Sequence, residues 1–342
     1  MKREMIPYTP EDWSATKLKG YLNRFKNRKI LVIGDVGVDR YTIGTVERIS
    51  PEAPVPIVRV EEERHKLGLA TNVADNISAL GGTPRICGIV GADRHAEALR
   101  GLLKRAKISV DDLVVDPERR TVLKERVVSD RQQLLRIDYE STTDVTNEIR
   151  EKLFRKISKI VPFCDAVIVE DYAKGLLDRK LLHRIFLLAR KHKKLLAVDP
   201  NVKTPMSYYM GATLLTPNTK EAEALAGSRI KDMDSLFDVG SRILRMTGAA
   251  HVIITRGKDG MAIFSQSNKK VHLIPTYARD VYDVSGAGDT VIATLTLALA
   301  SGASVSEAAV LGNLAAGVEV GKRGTATVTP EEVLEALHAY AK

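Results

Sequence analysis

The stretch DVSGAGDT, residues 283–290, stands directly before the apolar run VIATLTLALASG of residues 291–302. The run predicts a buried helix, and an aspartate at a helix start is favoured by the helix dipole in any protein. Gly286 and Gly288 leave backbone N–H groups uncovered, and a helix start of this kind binds anions. Because a carboxylate repels an anion, Asp289 also fits a base that works beside a phosphate. The stretch alone leaves both interpretations open.

Short apolar runs alternate with amphipathic segments along most of the chain. The runs predict buried strands at 29–34, 85–91, 165–170, 195–199, 212–216 and 251–257. Between and after them, a helical spacing of apolar residues predicts helices at 70–80, 146–160, 178–193, 219–226, 233–247, 287–301, 304–320 and 330–341. This alternation predicts an α/β fold: a doubly wound, mostly parallel sheet with helices on both faces.

Two regions near the start of the chain interrupt the alternation. Segments near 41–61 and 121–138 alternate polar and apolar residues, and they predict a small β-sheet lid. We therefore divide the chain into an N-terminal extension with a helix, 1–28, and one domain, 29–342, that carries the lid. The sequence VPIVRV (55–60) gives the lid an apolar face that needs cover, so we expect a two-fold homodimer through it.

Composition excludes several classes of protein. Lys and Arg number 52 against 43 Asp and Glu, but the basic residues are scattered, and aromatic residues make up only 5% of the chain. This composition disfavours a nucleic-acid binder. Cys87 and Cys164 stand far apart in apolar surroundings, as buried thiols do in a reducing compartment. Since no uncharged apolar run reaches the ~18 residues of a membrane span, we expect a cytoplasmic protein without a membrane partner.

Polar residues follow several of the predicted strands. Asn218 and Glu221 open a helix, where a capping box explains them as well as a phosphate or magnesium role does. Further polar residues and glycines at strand ends are Asp35, Asp39, Asp171, Lys174, Thr255 and Gly257. Because ligands of open α/β sheets bind beyond the carboxyl ends of the strands, these residues predict a site on one rim. A P-loop motif, a G-x-G-x-x-G motif after the first strand and a protein-kinase catalytic loop are all absent from the sequence.

The GAGD element resembles the signature of the ribokinase-like (PfkB) family of ATP-dependent sugar kinases, and the likeness runs from about residue 25 to the end. Stretches similar to the heptose 7-phosphate kinases of that family are ISPEAPVPIV (49–58), DYAKG (171–175), TPNTKEAE (216–223) and VYDVSGAGDTVIA (281–293). The resemblance implies a stand-alone kinase that phosphorylates the C1 hydroxyl of D-glycero-D-manno-heptose 7-phosphate, in the synthesis of ADP-heptose for lipopolysaccharide. Alternatives are another PfkB sugar or nucleoside kinase and a non-catalytic sugar-phosphate sensor.

The resemblance also implies a role for individual residues. Asp289 would be the catalytic base, and the amides of Gly286, Ala287 and Gly288 would form an anion hole. Residues implied in ATP binding are Asn218, Thr219, Lys220, Glu221, Thr255, Gly257 and Asn313. Residues implied in sugar-phosphate binding are Asp39, Asn72, Arg136, Asp171 and Lys174. Glu221 would hold Mg²⁺ through water, and Asp283 with Ser285 would bind a monovalent cation such as K⁺.

Two positions depart from the family pattern. Leu69, in LGLATN (67–72), replaces the second glycine of a pair that the family usually carries before the helix with Asn72. Glu170 precedes Asp171 where a small residue is more usual. A leucine at position 69 would narrow the predicted sugar pocket or move its backbone, so this departure bears on the identity of the sugar.

Overall fold

A large sheet forms the centre of the computed structural model, which describes residues 4–129, 132–278, 281–322, 324 and 326–340. Outside the described residues lie 130 and 131 of the predicted lid, 1–3 of the predicted extension, and 341 and 342 at the end of the predicted domain. Within the described part, nine strands form this sheet: β1 (Met5–Pro7), β2 (Lys29–Gly34), β5 (Thr83–Cys87), β10 (Ala166–Glu170), β11 (Leu195–Asp199), β12 (Leu214–Leu215), β13 (His251–Thr255), β14 (Met261–Ser265) and β15 (Asn268–Ile274).

The strands lie in the order β1-β15-β14-β13-β12-β11-β10-β2-β5. Neighbouring strands are parallel except in the pairs β13–β14 and β14–β15. The predicted doubly wound, mostly parallel sheet is therefore confirmed. The carboxyl ends of its parallel strands lie at one rim of the sheet. The predicted site residues follow these strand ends in the sequence.

Helices cover both faces of the sheet, as predicted. Ile30 and Val32 of β2 join one apolar cluster, whereas Leu31 and Ile33 join the other. The first cluster takes in α1 (Ala15–Leu22), α2 (Ala70–Ala79), α3 (Arg94–Arg105), α8 (Ala287–Ala300), α9 (Val305–Glu319) and α10 (Pro330–Tyr340). The second takes in α4 (Asn147–Ile160), α5 (Arg179–Lys191), α6 (Thr219–Ala226) and α7 (Met233–Thr247). Burial on both faces explains why the parallel strands read as continuous apolar runs.

A second, four-stranded sheet forms the lid, in the order β4-β3-β8-β9. Its strands are β3 (Val36–Ile49), β4 (Pro56–Leu69), β8 (Val122–Ser129) and β9 (Gln132–Tyr139). The pairs β3–β4 and β8–β9 are antiparallel, and β3–β8 is parallel. The strands β3 and β4 extend beyond the predicted 41–61, because their ends at 36–39 and 67–69 are buried and carry no alternating pattern. A separate short pair joins β6 (Ile89–Val90) and β7 (Val114–Val115).

The segment before residue 28 packs into the same body. Strand β1 pairs in parallel with β15, and α1 buries Leu18 and Leu22 in the first apolar cluster. Three residues are too few to show a period, so the sequence carried no signal for β1. Among the described helices, none is both long enough and apolar enough for a membrane span.

Candidate active site

The glycine-rich turn places Asp289 in the first turn of α8. Gly286 is the N-terminal cap of that helix and adopts φ 99°, a left-handed conformation that glycine accepts without strain. The amide of Asn72 donates from Nδ2 to Oδ2 of Asp289 over 2.6 Å. The hydroxyl of Tyr172 donates to Oδ1 over 3.0 Å. Both oxygens of the predicted base are therefore held in place by neighbouring side chains.

The surroundings of Asp289 suit a general base. Burial raises the pKa of Asp289 to about 6, while the hydrogen bonds from Asn72 and Tyr172 act to lower that pKa. A carboxylate with this pKa is ionised at neutral pH and is a stronger base than an exposed aspartate. Burial also raises the pKa of Tyr172 well above its usual value, so its hydroxyl remains a hydrogen-bond donor.

Two further acidic residues converge on Asp289. Strands β10 and β11 end side by side with Glu170 paired to Asp199, and one carboxylate oxygen from each lies within 4.8 Å of an oxygen of Asp289. Burial raises the pKa of both Glu170 and Asp199, and neighbouring carboxylates, including Glu221, raise it further. Buried carboxylate oxygens are ligands that suit Mg²⁺. Oε1 of Glu170 is buried without a hydrogen-bond partner in the described part of the chain, so the group fits a divalent cation.

Asn218 and Glu221 form the predicted capping box of α6. The backbone N–H of Asn218 donates to Glu221 over 2.8 Å, and that of Glu221 donates to Asn218 Oδ1 over 3.0 Å. An isolated parallel β-bridge pairs the backbones of Asn218 and Thr255, and the Thr219 hydroxyl donates a hydrogen bond to the Thr255 carbonyl over 3.3 Å. The capping box thus lies beside Thr255, although the two are far apart in the sequence. The turn at Gly257, which adopts φ 55°, is next to them.

The remaining residues predicted for ATP binding differ in their contacts. Lys220 is exposed in the first turn of α6. Asn313 is buried, and its side-chain amide donates to the Pro275 carbonyl over 2.8 Å and accepts from the Tyr277 N–H over 3.2 Å. Asn313 therefore holds the loop that follows β15.

The charged residues predicted for the sugar phosphate all have partners. Asp39 Oδ1 lies 2.8 Å from Nη1 of Arg126. Arg136 pairs with Asp138 over 2.9 Å. Both ion pairs lie on the lid, with Asp39 on β3 and Arg136 on β9.

Lys174 and Asp171 belong to the turn that follows β10. Lys174 Nζ lies 2.6 Å from Glu140, the residue directly after β9. The carboxylate of Asp171 accepts hydrogen bonds of 2.7 Å from Tyr209 and from Thr204. Asp171 therefore supports the turn, and Lys174 links that turn to the lid.

The register of the lid strands gathers cations that the sequence did not single out. One row across the sheet contains Lys66, Asp39, Lys124 and Asp138. Two residues further along β3, on the same face, a second row contains Arg64, Tyr41, Arg126 and Arg136. Side chains opposite one another in neighbouring strands share a face. This face borders a cavity of about 470 Å³ whose other wall includes Tyr282, Asp283, Ser285 and Gly324. Burial lowers the pKa of Lys66 and Lys124.

Asp283 and Ser285 form a tight turn at the edge of this cavity. The Ser285 N–H donates to Asp283 Oδ1 over 2.9 Å. Glu319 at the end of α9 is fully buried, and burial raises its pKa to about 8, with Asp283 adding to the effect. The sequence pattern did not indicate that Glu319 lies near Asp283.

A family match shows to which protein family the chain with this site belongs. Residues 27–332 match the model of the pfkB family of carbohydrate kinases. The chain belongs to that family. The predicted resemblance is confirmed, and as a pfkB carbohydrate kinase the protein is a phosphotransferase, as expected.

Relatives and solved structures agree with the family match. The chain is 43% identical to the bifunctional protein HldE of Helicobacter hepaticus over 92% of its own length and 64% of the relative's. It is also 43% identical to that of Desulfatibacillum aliphaticivorans over 90% of its length and 63% of the relative's. The chain thus spans less than two thirds of the length of these two relatives.

Solved structures of two other kinases share the fold. A ribokinase of Arabidopsis thaliana, complexed with ribose and ATP, has a TM-score of 0.71 at 17% identity, covering 91% of this chain and 98% of the ribokinase. Phosphofructokinase-2 of Escherichia coli, in complex with potassium, has a TM-score of 0.77 at 19% identity, covering 92% and 99%. These likenesses confirm the ribokinase-like fold.

Leu69 shows how this pfkB chain accommodates its departure from the glycine pair. It precedes α2 with φ 56° and ψ −141°, in a region that glycine occupies easily and a leucine does not. Its side chain is nevertheless buried. Leu69 thus adopts a backbone conformation that is typical of glycine. For a leucine this conformation is strained, and such strain typically costs about 1–3 kcal/mol.

Proposed function

We propose that this chain transfers the γ-phosphoryl group of ATP to the anomeric C1 hydroxyl of D-glycero-D-manno-heptose 7-phosphate, giving the 1,7-bisphosphate. The observation that carries the proposal is Asp289, held by Asn72 and Tyr172 at the glycine-rich start of α8. The stretches similar to heptose 7-phosphate kinases and the 43% identity to proteins named HldE support the choice of sugar.

The reaction follows from the position of the carboxylate. Asp289 takes the proton of the C1 hydroxyl while that oxygen attacks the γ-phosphorus, and the bond from phosphorus to the β-phosphate oxygen breaks to release ADP. The amides of Gly286, Ala287 and Gly288 stabilise the charge on the transferring group. Asn72 and Tyr172 fix the orientation of the base, and such positioning is a large part of catalysis in phosphoryl transfer.

We place the nucleotide beside the α6 cap. Asn218, Thr219, Lys220, Glu221, Thr255 and Gly257 would line its phosphates, while Asn313 holds the loop next to it. Mg²⁺, when bound, neutralises phosphate charge, and Glu221 would hold it through water. Asp283 and Ser285 would contribute to a site for K⁺.

The sugar phosphate would lie between Asp289 and the lid. Asp39 and Asn72 would contact hydroxyl groups, and Asp171 would support the turn beside them. A dianionic phosphate at the far end of the sugar needs paired cations, because its transfer from water is otherwise costly. Lys174 and Arg136 are our candidates, and the lid face that carries Arg126 and Lys124 supports this assignment.

We also propose a homodimer through the lid in the cytoplasm. Apolar side chains exposed on the lid strands or the turn between them include Ile49, Val55, Val60 and Leu135. A second lid would cover them. Cys87 and Cys164 are free and buried, which fits a reducing compartment.

A coupled assay of ATP consumption over a panel of sugar phosphates tests the function. We expect heptose 7-phosphate to be preferred, and Asp289→Asn to lower turnover by ~10²–10⁴ while nucleotide binding is kept. Asp75→Asn, a half-buried aspartate on α2, serves as the matched control. Turnover of Asp289→Asn within about threefold of the parent would contradict the role of the base.

The same panel separates the alternatives. Preference for fructose 6-phosphate or a nucleoside would overturn the heptose assignment and leave a pfkB kinase of another substrate. Sugar phosphate binding without ATP consumption would indicate a sensor.

A further inference from the structure

The side chain of Arg119 joins three segments that are far apart in the chain. Arg119 lies in the loop between β7 and the lid strand β8. Its Nη2 donates to the carbonyl of Lys174 over 2.6 Å and to that of Ser141 over 2.8 Å. Its Nη1 donates to the carbonyl of Thr143. One guanidinium thus connects the loop before β8 to the segment after β9 and to the turn after β10.

The turn after β10 has a backbone that needs support. Ala173 adopts φ 53° and Gly175 adopts φ 88°, both in the left-handed region. An alanine in this region is strained, and such a conformation persists only where neighbouring contacts hold it. A Cβ atom at Gly175 would clash with the carbonyl of Thr143, so the segment after β9 packs directly against the turn. The hydrogen bonds of Arg119 hold these two pieces of backbone together.

Tyr172 lies between two fixed points of this turn. On one side, the carboxylate of Asp171 is held by the two hydrogen bonds described above. On the other side, the carbonyl of Lys174 accepts from Arg119, and the N–H of Lys174 donates to Asp35 over 3.2 Å. Because the backbone is held before and after Tyr172, the direction of the tyrosine ring depends on both sets of contacts.

We propose that Arg119 is a positioning residue: by fixing the turn after β10, it aims the hydroxyl of Tyr172 at Oδ1 of Asp289. The inference rests on the proposed function, since it concerns the orientation of the proposed base. Arg119 acts through the turn, because its own three acceptors are backbone carbonyls. A displacement that begins far from the reacting atoms can slow a reaction by ~10²-fold.

The geometry of a guanidinium suits this role. Its planar fork presents several N–H groups in fixed directions, so one side chain can bind three carbonyls at once. The ammonium group of a lysine is a point charge on a flexible stem. Arg119→Lys therefore keeps the charge but loses the fixed geometry, and we expect it to fall short of the parent.

Steady-state kinetics of Arg119→Ala, Tyr172→Phe and the double variant test the proposal, with the sugar that the parent prefers. Arg119→Ala should lower kcat roughly 10- to 100-fold and leave the KM for ATP unchanged, because the base is misdirected while the nucleotide site is intact. The kcat of the double variant should lie within about threefold of that of the slower single variant, since both changes remove the same hydrogen bond.

Arg85→Ala is the matched control. Arg85 is also half-buried, and its Nε donates to Asp112 over 2.7 Å. It borders a different cavity, together with Lys29 and Cys164, so its loss should leave kcat unchanged. Thermal unfolding of each variant shows whether it is folded at the assay temperature. If Arg119→Ala does not fold, Arg119→Lys replaces it in all measurements.

Two results would overturn the proposal. One is a kcat of the Arg119 variant that matches that of the parent. The other is a double variant whose loss equals the product of the two single losses, because independent effects multiply. A parent without kinase activity would instead overturn the proposed function on which the inference rests, so the two failures are distinguishable.

Discussion

The hydroxyl of Tyr172 donates to Oδ1 of Asp289 over 3.0 Å, from the turn after β10 to the start of α8. Together with Asn72, which holds Oδ2, it leaves the carboxylate little freedom to rotate. Nζ of Lys124 lies 5.7 Å from the centre of the Tyr172 ring, so the lid reaches the same place. Tyr172 thus connects the base to the part of the protein that covers it.

Loss of the Tyr172 hydroxyl should slow catalysis without weakening nucleotide binding. In Tyr172→Phe we expect kcat to fall roughly 10- to 100-fold, because a poorly oriented base loses the benefit of positioning. The KM for ATP should stay unchanged. Steady-state kinetics on the preferred sugar measure both values, with Tyr208→Phe as a control. An unchanged kcat would show that Asn72 alone orients the base.

The pair of Lys174 and Glu140 gives a test of the distal phosphate. We expect Lys174→Ala to raise the KM for heptose 7-phosphate about 10- to 100-fold, since a charge-assisted hydrogen bond is lost. The weak activity on unphosphorylated sugars should barely change. In Glu140→Gln the lysine loses its competing partner, so the KM for heptose 7-phosphate should not rise. Equal losses of Lys174→Ala on both kinds of sugar would contradict the assignment.

The sequence predicted those parts of the fold and site that depend on neighbouring residues. GAGD lies within one helix turn, and the Asn218–Glu221 cap within another, so spacing alone was informative. Arg126 and Lys124 were missed because their roles depend on the register of lid strands far apart in the chain. Tyr172 was missed because its hydrogen bond reaches Asp289, which lies 117 residues further along the chain. Asp199 merely ends a strand in the sequence, and its importance comes from lying beside Glu170 in the sheet.

The strained backbone at Leu69 should reduce the effect of replacing it with glycine. Leu69 and Leu67 are comparably buried, at 5% and 4% exposure. Leu67→Gly should therefore lower the free energy of unfolding by about 3–5 kcal/mol. Leu69→Gly should lower it by about 1–3 kcal/mol less, because the substitution also relieves strain. Urea unfolding of the two variants measures the difference, and equal losses would show that Leu69 carries no strain.

Glu307 should make stability depend on pH. Burial acts to raise its pKa, but hydrogen bonds from Lys17, Ser304 and Tyr21 prevail and hold that pKa at about 2, below the ordinary 4.5. The stabilisation is therefore complete above pH 4.5 and is lost as the pH falls toward 2. Near pH 7, Glu307→Gln should lower the free energy of unfolding by about 2–3 kcal/mol.

Urea unfolding between pH 7 and pH 3 checks this dependence. The difference between the parent and Glu307→Gln should shrink as the pH falls below 4.5. Glu335→Gln, at an exposed position of α10, is the control and should match the parent throughout. A difference that stays constant with pH would mean that packing, not charge, makes Glu307 stabilising.

Light scattering at micromolar concentration tests the lid dimer. We expect a dimer for the parent and a monomer for Val60→Glu, which places a charge on the apolar lid face. The matched control is Leu187→Glu. Leu187 is 51% exposed, as is Val60, but it lies on α5 and not on the lid. It should remain dimeric. A monomeric parent, or a dimeric Val60→Glu, would contradict an interface at this face.

The pairing of β1 with β15 has a consequence for how the chain is handled. Met5 lies opposite Val271 and Pro7 opposite Leu273, so β1 covers the outer edge of β15. An uncovered strand edge is a template for joining another chain. A protein shortened by its first seven residues should therefore aggregate more readily. During synthesis, β1 emerges long before its partner exists, and the outer edge of the sheet closes only after β15 has been made.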